Sequence, residues 1–479
     1  MVATLLRKKQ RVSVMRSLAS GLVACAATLL FVGAAEAVPY AQLSSSQNQL
    51  GGTTPKVVTL NQNDAVKGIS NSNGVITFNE AGAYFVIAAA QVGSVNGKGK
   101  GSLRLWMRMN GQDVPNSNTE QTIVPGFTAV LVCQGVGEVK AGDRLELVYS
   151  VSAAAEQLGL IASKPAGEPL VPSMIFTAFK VDDYAYAQVS SSQTQTAGAV
   201  GKLIALNSAD ALKKVENNAG VLTVKSAGAY FVIAAGQVGC SAPGGKGRVR
   251  MWVRQNGQDV ANSNSEQTIN PGFTTVLVCQ GVLACKAGDR VELMQSANGG
   301  GVGMVASSPK GEPVVPSVIL SVVKVADDAY AQFSSVQSQA GSTYGQPVSL
   351  SQTDAARNVK IAKGAMSISI NKQTIMVGKD GVYFMIAAGQ VGGAEGHGVG
   401  SVRLWLRQNN IDVAKSNTEQ TVINDYTTVL VTQGVGEARE GDKLQILQSA
   451  RGAGVGLIAT KPKGEPVVPG MIFSLVKID

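Results

Sequence analysis

Arg104-Leu105-Trp106-Met107-Arg108, then Asn110-Gly111-Gln112-Asp113-Val114, then Asn116 to Thr122 (NSNTEQT) form a stretch that recurs in related form three times along this chain. The only tryptophans, Trp106, Trp252 and Trp405, are offset by 146 and 153 residues, and each has Arg at i−2 and i+2. Residues 116–135 and 262–281 are identical at 17 of 20 positions. A self-match of about 150 residues is too long for a solenoid unit and fits whole domains in tandem.

Working outward from the tryptophans gives three units: 38–183, 184–328 and 329–479. Each opens on Tyr-Ala-Gln (Tyr40, Tyr186, Tyr330) and closes on Gly-Glu-Pro followed by an apolar run (from Gly167, Gly311 and Gly464). A unit of this length is large enough to bury its own core. The third unit is longer: Leu60 to Tyr84 and Leu206 to Tyr230 span 24 residues, whereas Leu350 to Tyr383 spans 33. The insertion falls around Ala362 to Gln373, and its alternating Met366-Ser367-Ile368-Ser369-Ile370 reads as an elongated hairpin.

Gly is abundant (55), aromatic residues are few, and charged residues make up 15% of the chain. That balance suits short strands and tight turns, and no long segment keeps a 3.6-residue apolar period. Val75-Ile76-Thr77-Phe78, a turn at Asn79 to Gly82, and Ala83 to Ala88 read as a hairpin. Over Leu103 to Met109 the alternation places Leu103, Leu105 and Met107 on one face and Arg104, Trp106 and Arg108 on the other. Asn110-Gly111 is a turn, Phe127 to Gln134 another strand, and Lys140 to Asp143 a turn into Arg144 to Tyr149. About eight to ten strands per unit and no crossover helices predict an all-β fold of three tandem antiparallel jelly-roll β-sandwiches.

Residues 1–37 read as an export signal. Arg7, Lys8, Lys9, Arg11 and Arg16 precede an apolar run, and Ala35-Glu36-Ala37 offers small residues for cleavage before Val38. Leu22-Val23-Ala24-Cys25 resembles a lipoprotein box, so lipid anchoring at Cys25 is the alternative to plain secretion. Without this segment the chain has 36 Lys+Arg and 31 Asp+Glu, a net charge of +5 where the full chain has +9. That mild charge, without basic runs bearing aromatics, argues against nucleic acid as a partner. The apolar run is too short and too rich in Ala and Gly for a membrane anchor, so no transmembrane segment is expected in the mature chain.

Little here can carry catalysis. His397, the only histidine, has no counterpart in the other units, which argues against His-based triads and typical zinc sites. The acids common to all three units, Glu120/Glu266/Glu419, Asp143/Asp289/Asp442 and Glu168/Glu312/Glu465, sit in repeat-defining or turn contexts. The Gly97 to Ser102 loop lacks phosphate-loop spacing and leads into a strand. Cys240 and Cys285, found only in the second unit, form a candidate disulfide, whereas the equivalent Cys133 and Cys279 read as buried free thiols. The sharpest signal is the Arg-Trp-Arg face: Arg104, Trp106 and Arg108; Arg250, Trp252 and Arg254; Arg403, Trp405 and Arg407. Guanidiniums beside an indole allow cation–π contacts, making these residues a candidate contact surface between units or toward a ligand. Glu120, Glu266 and Glu419 are the candidate ion-pair partners of those arginines.

The order of motifs resembles the globular heads of complement and collagen-associated proteins, and more distantly the tumour necrosis factor ligands. The residues that carry it are Tyr40-Ala-Gln, Val-Ile-Thr-Phe (75–78), Gly82-x-Tyr84-Phe85, Arg108-x-Asn110-Gly111, Lys140-x-Gly142-Asp143 and the closing strand Ser173 to Phe179. The resemblance spans nearly the whole mature chain, three times over. It implies ten-stranded jelly rolls that trimerise and bind partners without catalysis. Three copies in one chain, joined by short connections, then imply an intramolecular pseudo-trimer. The expectation is a secreted or cell-surface, non-enzymatic binding or adhesion protein without cofactor, whose partner is an extracellular protein or glycan. Calcium is compatible with the resemblance, and no residues single out a site. A structural surface-coat protein and a jelly-roll lectin or carbohydrate-active enzyme are the alternative readings.

Overall fold

The structure, a computed structural model, describes residues 38–181, 185–361, 373–394 and 397–479. The export segment with Cys25 and nearly all of the third-unit insertion (362–372) lie outside the described residues.

Alternating and continuous apolar runs become strands throughout, and the one short helical turn described is Ala154–Glu156. In the first domain the principal strands are β1 (Tyr40–Ser45), β2 (Gln62–Lys67), β3 (Ile69–Ser72), β4 (Val75–Phe78) and β5 (Gly82–Ser94). They continue as β6 (Gly101–Met109), β7 (Thr119–Ile123), β8 (Ala129–Val139), β9 (Arg144–Val151) and β10 (Met174–Val181). Two antiparallel sheets result, with orders β2-β1-β10-β5-β8 and β3-β4-β9-β6-β7, and short flanking strands bring each to seven. The same pair of sheets recurs over the second and third repeats, giving six sheets and three tandem β-sandwiches. The fold class is the expected one. The strands outnumber the expected eight to ten because two- and three-residue pieces flank each sheet.

The expected hairpin over 75–88 is corrected. β4 pairs with β3 and β9, whereas β5 belongs to the other sheet and pairs with β8 and β10. The Asn79–Ala81 segment therefore crosses between layers. The true hairpin turns at Asn73-Gly74, where φ of 53° and 108° matches a tight two-residue turn. Gly74 is needed for a second reason: a Cβ there would stand 2.1 Å from the Val58 carbonyl oxygen.

β5 explains how the domains meet. Its residues are buried on both faces almost end to end, unusual for an antiparallel sandwich, whose outer face normally meets water. Tyr84 points inward and stacks on Phe78 at 4.6 Å between ring centroids. Phe85 points the other way and meets its counterparts Phe231 and Phe384 at 6.0 and 5.8 Å, and those two meet each other at 5.5 Å. A second ring cluster, Phe127, Phe273 and Tyr426, repeats the arrangement at 5.7–5.8 Å. Each domain thus contributes to both clusters and touches both others, and the first adds a further ring, Phe179, 5.3 Å from Phe384. Edge-to-face geometry at these distances adds about 0.5–1.5 kcal/mol per pair beyond burial.

Phe231 has 0% exposure, so Phe231→Ala is expected to cost about 3–5 kcal/mol. Because that ring packs on both other domains, tryptophan fluorescence in denaturant is expected to show the three domains losing structure together at a lower midpoint. Unchanged unfolding, or loss of the second domain alone, would refute a shared core.

Candidate functional site

An antiparallel sandwich leaves open edges, and unpaired backbone groups along an edge are costly when buried. Here the edge strands β7 and β8 face the second domain, whose glutamines complete them. Gln237 accepts from the Glu120 N–H at 2.9 Å and donates to the Glu120 carbonyl at 2.7 Å. Gln390 does the same to Glu266 of the second domain, and Gln91 to Glu419 of the third. On β8, the Val136 N–H donates to Gln188 Oε1 at 3.1 Å, and Gln134 reaches across to the Ile233 carbonyl at 2.9 Å. Val282 with Gln332, and Val435 with Gln42, are the matching pairs. The contacts run from first domain to second, second to third, and third to first.

Ion pairs follow the same circuit. Arg104 forks onto Glu312 of the second domain, Arg250 reaches Glu465 of the third at 3.3 Å, and Arg403 reaches Glu168 of the first at 3.2 Å. Each arginine also faces its own domain's acid: Glu120 at 3.5 Å, Glu266 at 2.7 Å and Glu419 at 3.0 Å. Glu168, Glu312 and Glu465 belong to the repeated Gly-Glu-Pro turns. The following proline's carbonyl accepts from an asparagine of the preceding domain in the circuit: Asn118 on Pro313, Asn264 on Pro466, and Asn417 on Pro169, at 2.8–2.9 Å.

The candidate contact surface therefore divides into two parts. Arg104, Arg250 and Arg403 lie at the seams between domains. The other members close within their own domain: the Trp106 indole N–H donates to Asp113 at 2.9 Å, and Arg108 donates to the same oxygen at 2.8 Å. Trp252 and Arg254 share Asp259, and Trp405 and Arg407 share Asp412. The indoles are at most 1% exposed. Of the two readings, Arg104, Arg250 and Arg403 meet the one between units, and the cation–π contact toward a ligand is corrected: the indoles are covered, and carboxylates engage the guanidiniums. The aspartates that the sequence reading missed stand in every copy, seven residues after the tryptophan. The seam glutamines recur as well, but their strands look like ordinary apolar runs.

The candidate disulfide is also corrected. Cys240 and Cys285 are free. Cys285 pairs in register with Gly228 at the start of the strand Gly228–Cys240, and Cys240 ends that strand, which separates them by about 40 Å. Cys133 and Cys279 are buried free thiols bonded to the Ser117 and Ser263 carbonyls. Burial pushes the Cys133 thiol up to about 12 and raises that of Cys279 also. Burial, with Asp289 nearby, pushes Cys285 up to about 12.

Asp143, Asp289 and Asp442 hold turns: the backbone N–H groups of Lys140, Lys286 and Arg439 and the side chains of Asn110, Asn256 and Asn409 lower their carboxyls below the usual range. His397 is exposed, in a bridge with Ala394. Among the described residues no group of three or more His, Cys, Asp or Glu side chains is placed to hold a metal ion. Nor is any described helix long and apolar enough to cross a membrane. Cavities open along the seams. One of about 670 Å³ between the second and third domains is lined by Arg248, Glu266 and Tyr426, and one of about 680 Å³ between the first and second by Ser102, Glu120 and Thr274.

No family model and no curated protein matches the chain. Among solved structures, the N-terminal CBM22-1–CBM22-2 tandem domain of Paenibacillus barcinonensis Xyn10C aligns at 13% identity, over 61% of this chain and 98% of that one, with a TM-score of 0.17. PNGF-II aligns at 8% identity over 83% and 98%, TM-score 0.22. Dimeric latent PorU of Porphyromonas gingivalis aligns at 9% over 88% and 33%, TM-score 0.16. Scores this low do not indicate a shared arrangement of the whole chain.

Arg403 and Glu168 are 4% and 6% exposed. Removing one partner of a buried pair typically costs about 3–5 kcal/mol, so Arg403→Met is expected to lower stability by that order. Arg403→Met with Glu168→Gln should recover part of the loss in denaturant melts; a single variant within about 0.5 kcal/mol of wild type would show that the pair holds nothing. The thiols give a second check. In the native protein, a thiol reagent at pH 8 should modify the partly exposed Cys240, with Cys133, Cys279 and Cys285 reacting only on unfolding. A Cys240–Cys285 linked peptide in non-reducing mapping would overturn the assignment.

Proposed function

We propose that this protein is an exported, non-enzymatic binding or adhesion module in which three jelly rolls form one pseudo-trimer. The reading also draws on the resemblance of the motif order to complement globular heads and tumour necrosis factor ligands. The observation that carries it is the circuit of seams. The side chains repeated in every unit, Gln91/Gln237/Gln390, Arg104/Arg250/Arg403 and Glu168/Glu312/Glu465, meet partners in a neighbouring domain and hold the three together. Loops between the strands differ instead, as Val95 to Lys100 in the first unit does from Ser241 to Lys246 in the second. Repeated residues build the assembly, and divergent loops give it a surface with three unlike sectors. Such a surface suits recognition of an extracellular protein or glycan.

Small-angle scattering of the purified chain from Val38 onward tests the assembly. A compact particle with a radius of gyration of about 22 Å is expected for its length. Three separable lobes, or assembly into layers or fibres, would refute the pseudo-trimer and favour the surface-coat reading. A glycan and surface-extract screen with the 95–100 loop exchanged for 241–246 tests the binding surface; ligand capture indifferent to that exchange, and to its reciprocal, would place recognition elsewhere.

A further inference from the structure

The three seams are built from the same residues but are not balanced alike. Each sets one repeated arginine against two glutamates, and at the seam between the second and third domains a further cation reaches the glutamate beside that arginine. There the Arg248 guanidinium stands 3.6 Å from Glu266, which also takes Arg250 at 2.7 Å and is 2% exposed. Ser102 and Ser401 occupy the position of Arg248 in the other units.

The seam between the first and second domains holds its own arginine's glutamate at the longest distance. Its arginine, Arg104, forks onto Glu312 through two nitrogens and keeps only a 3.5 Å approach to Glu120. In the third domain, by contrast, Arg403 gives Glu419 two hydrogen bonds of 3.0 and 3.3 Å. Glu120 therefore has charge to spare, and it lines the groove of about 680 Å³ together with Ser102, Thr122 and Thr274. The groove's other charges are Lys100, whose residue is exposed, and Glu156, which accepts from the Lys100 backbone N–H at 3.1 Å. Two carboxylates thus face one lysine.

We propose that this groove binds a guanidinium group on Glu120, in the place that Arg248 fills from within the chain at the next seam. A planar guanidinium offers paired donors matched to a carboxylate, and flanking hydroxyls can take its remaining N–H groups. The source is either a small free cation or an arginine side chain of a protein partner. The site rests on the pseudo-trimer reading, because both domains form the groove. Scattering tests the ring and ligand titration tests the groove, so the two can fail separately.

Titration calorimetry of the whole exported chain at low salt, with agmatine and acetyl-arginine methylamide in parallel, decides it. One saturable site per chain is expected. Tighter agmatine marks a free cation as the source, and tighter acetyl-arginine methylamide marks a side chain. Glu120→Gln should weaken binding at least tenfold. Ser102→Arg, which supplies the chain's own guanidinium and deletes no contact of Glu120, should abolish it. Lys100→Ala should leave it unchanged or tighter. Absence of saturable binding, indifference to both Glu120→Gln and Ser102→Arg in variants that melt normally, or equal binding of tetramethylammonium, which has no N–H to donate, would overturn the proposal.

Discussion

A sandwich that is not closed into a barrel carries backbone groups along its edge strands that must find partners, and in this chain the neighbouring domain supplies them. The device is the glutamine carboxamide, which presents one acceptor and two donors much as a backbone strand does. Gln237 grips both backbone groups of Glu120, and Gln188 takes the Val136 N–H, so the edge strands β7 and β8 of the first domain meet side chains of the second. An edge completed in this way cannot pair with another chain, which is the usual hazard of exposed strands. It also fixes the distance and register at which the domains meet. The aromatic clusters around Phe85 and Phe127 can then form, because their rings are already held at the required spacing.

Polar seams of this kind are specific more than they are strong. A hydrogen bond exchanged for one to water contributes about 0.5–1.5 kcal/mol net, but leaving its partner buried and unpaired costs about 1–3 kcal/mol. The same asymmetry holds for the arginine–glutamate pairs, where taking two charges out of water offsets most of their attraction. Hydrophobic burial around the phenylalanines therefore drives the domains together, and the glutamines and ion pairs select which face meets which. A rotation of one domain by a strand's width would leave the backbone groups of Glu120, Glu266 and Glu419, and the carboxylates of Glu168, Glu312 and Glu465, without their partners in the neighbouring domain.

The sequence showed the strands, the tandem units and the faces of β6, because period-2 alternation and a self-match across the chain are local signals. Arg104, Arg250 and Arg403 did stand out, as did the acids they meet. Their cross-domain partners did not, since Glu312 lies 208 residues from Arg104 and its Gly-Glu-Pro turn has the composition of any surface turn. The hairpin over 75–88 failed for a related reason: a short turn between two strands fits a layer crossing as well as a ladder. Asn73-Gly74 was the better hairpin signal. The pairing of Cys240 with Cys285 failed because shared membership of one unit says nothing about distance along a sheet: Cys240 ends a thirteen-residue strand, and Cys285 lies on the neighbouring strand opposite its start. Trp106 was misleading in another way. An indole between two arginines invites a cation–π reading unless the aspartate seven residues on is recognised as the acceptor for both.

Three separate copies of one subunit would need three identical seams, because each residue appears at every interface. Joining the domains in one chain removes that requirement, and the seams have used the freedom. Asn116 donates to Asp210 and Asn262 to Asp354, but Lys415 stands at the equivalent place in the third domain, where its charge partly counters the burial that raises the Asp64 carboxyl. The seam from third domain to first is also the one that no chain connection spans. A charged contact there, together with the most buried of the repeated arginines, Arg403 at 4% exposure, places the strongest electrostatic selection where covalent linkage gives no help. Tyr426, replacing Phe127 and Phe273, adds a hydroxyl that accepts from Gln267 across the second seam at 3.0 Å. Lys415 and Tyr426 thus each alter one seam and leave the others as they were. Fusion lets seams that are alike in outline differ in chemistry, and the second cation on Glu266, Arg248, where the other units carry serine, is one product of that latitude.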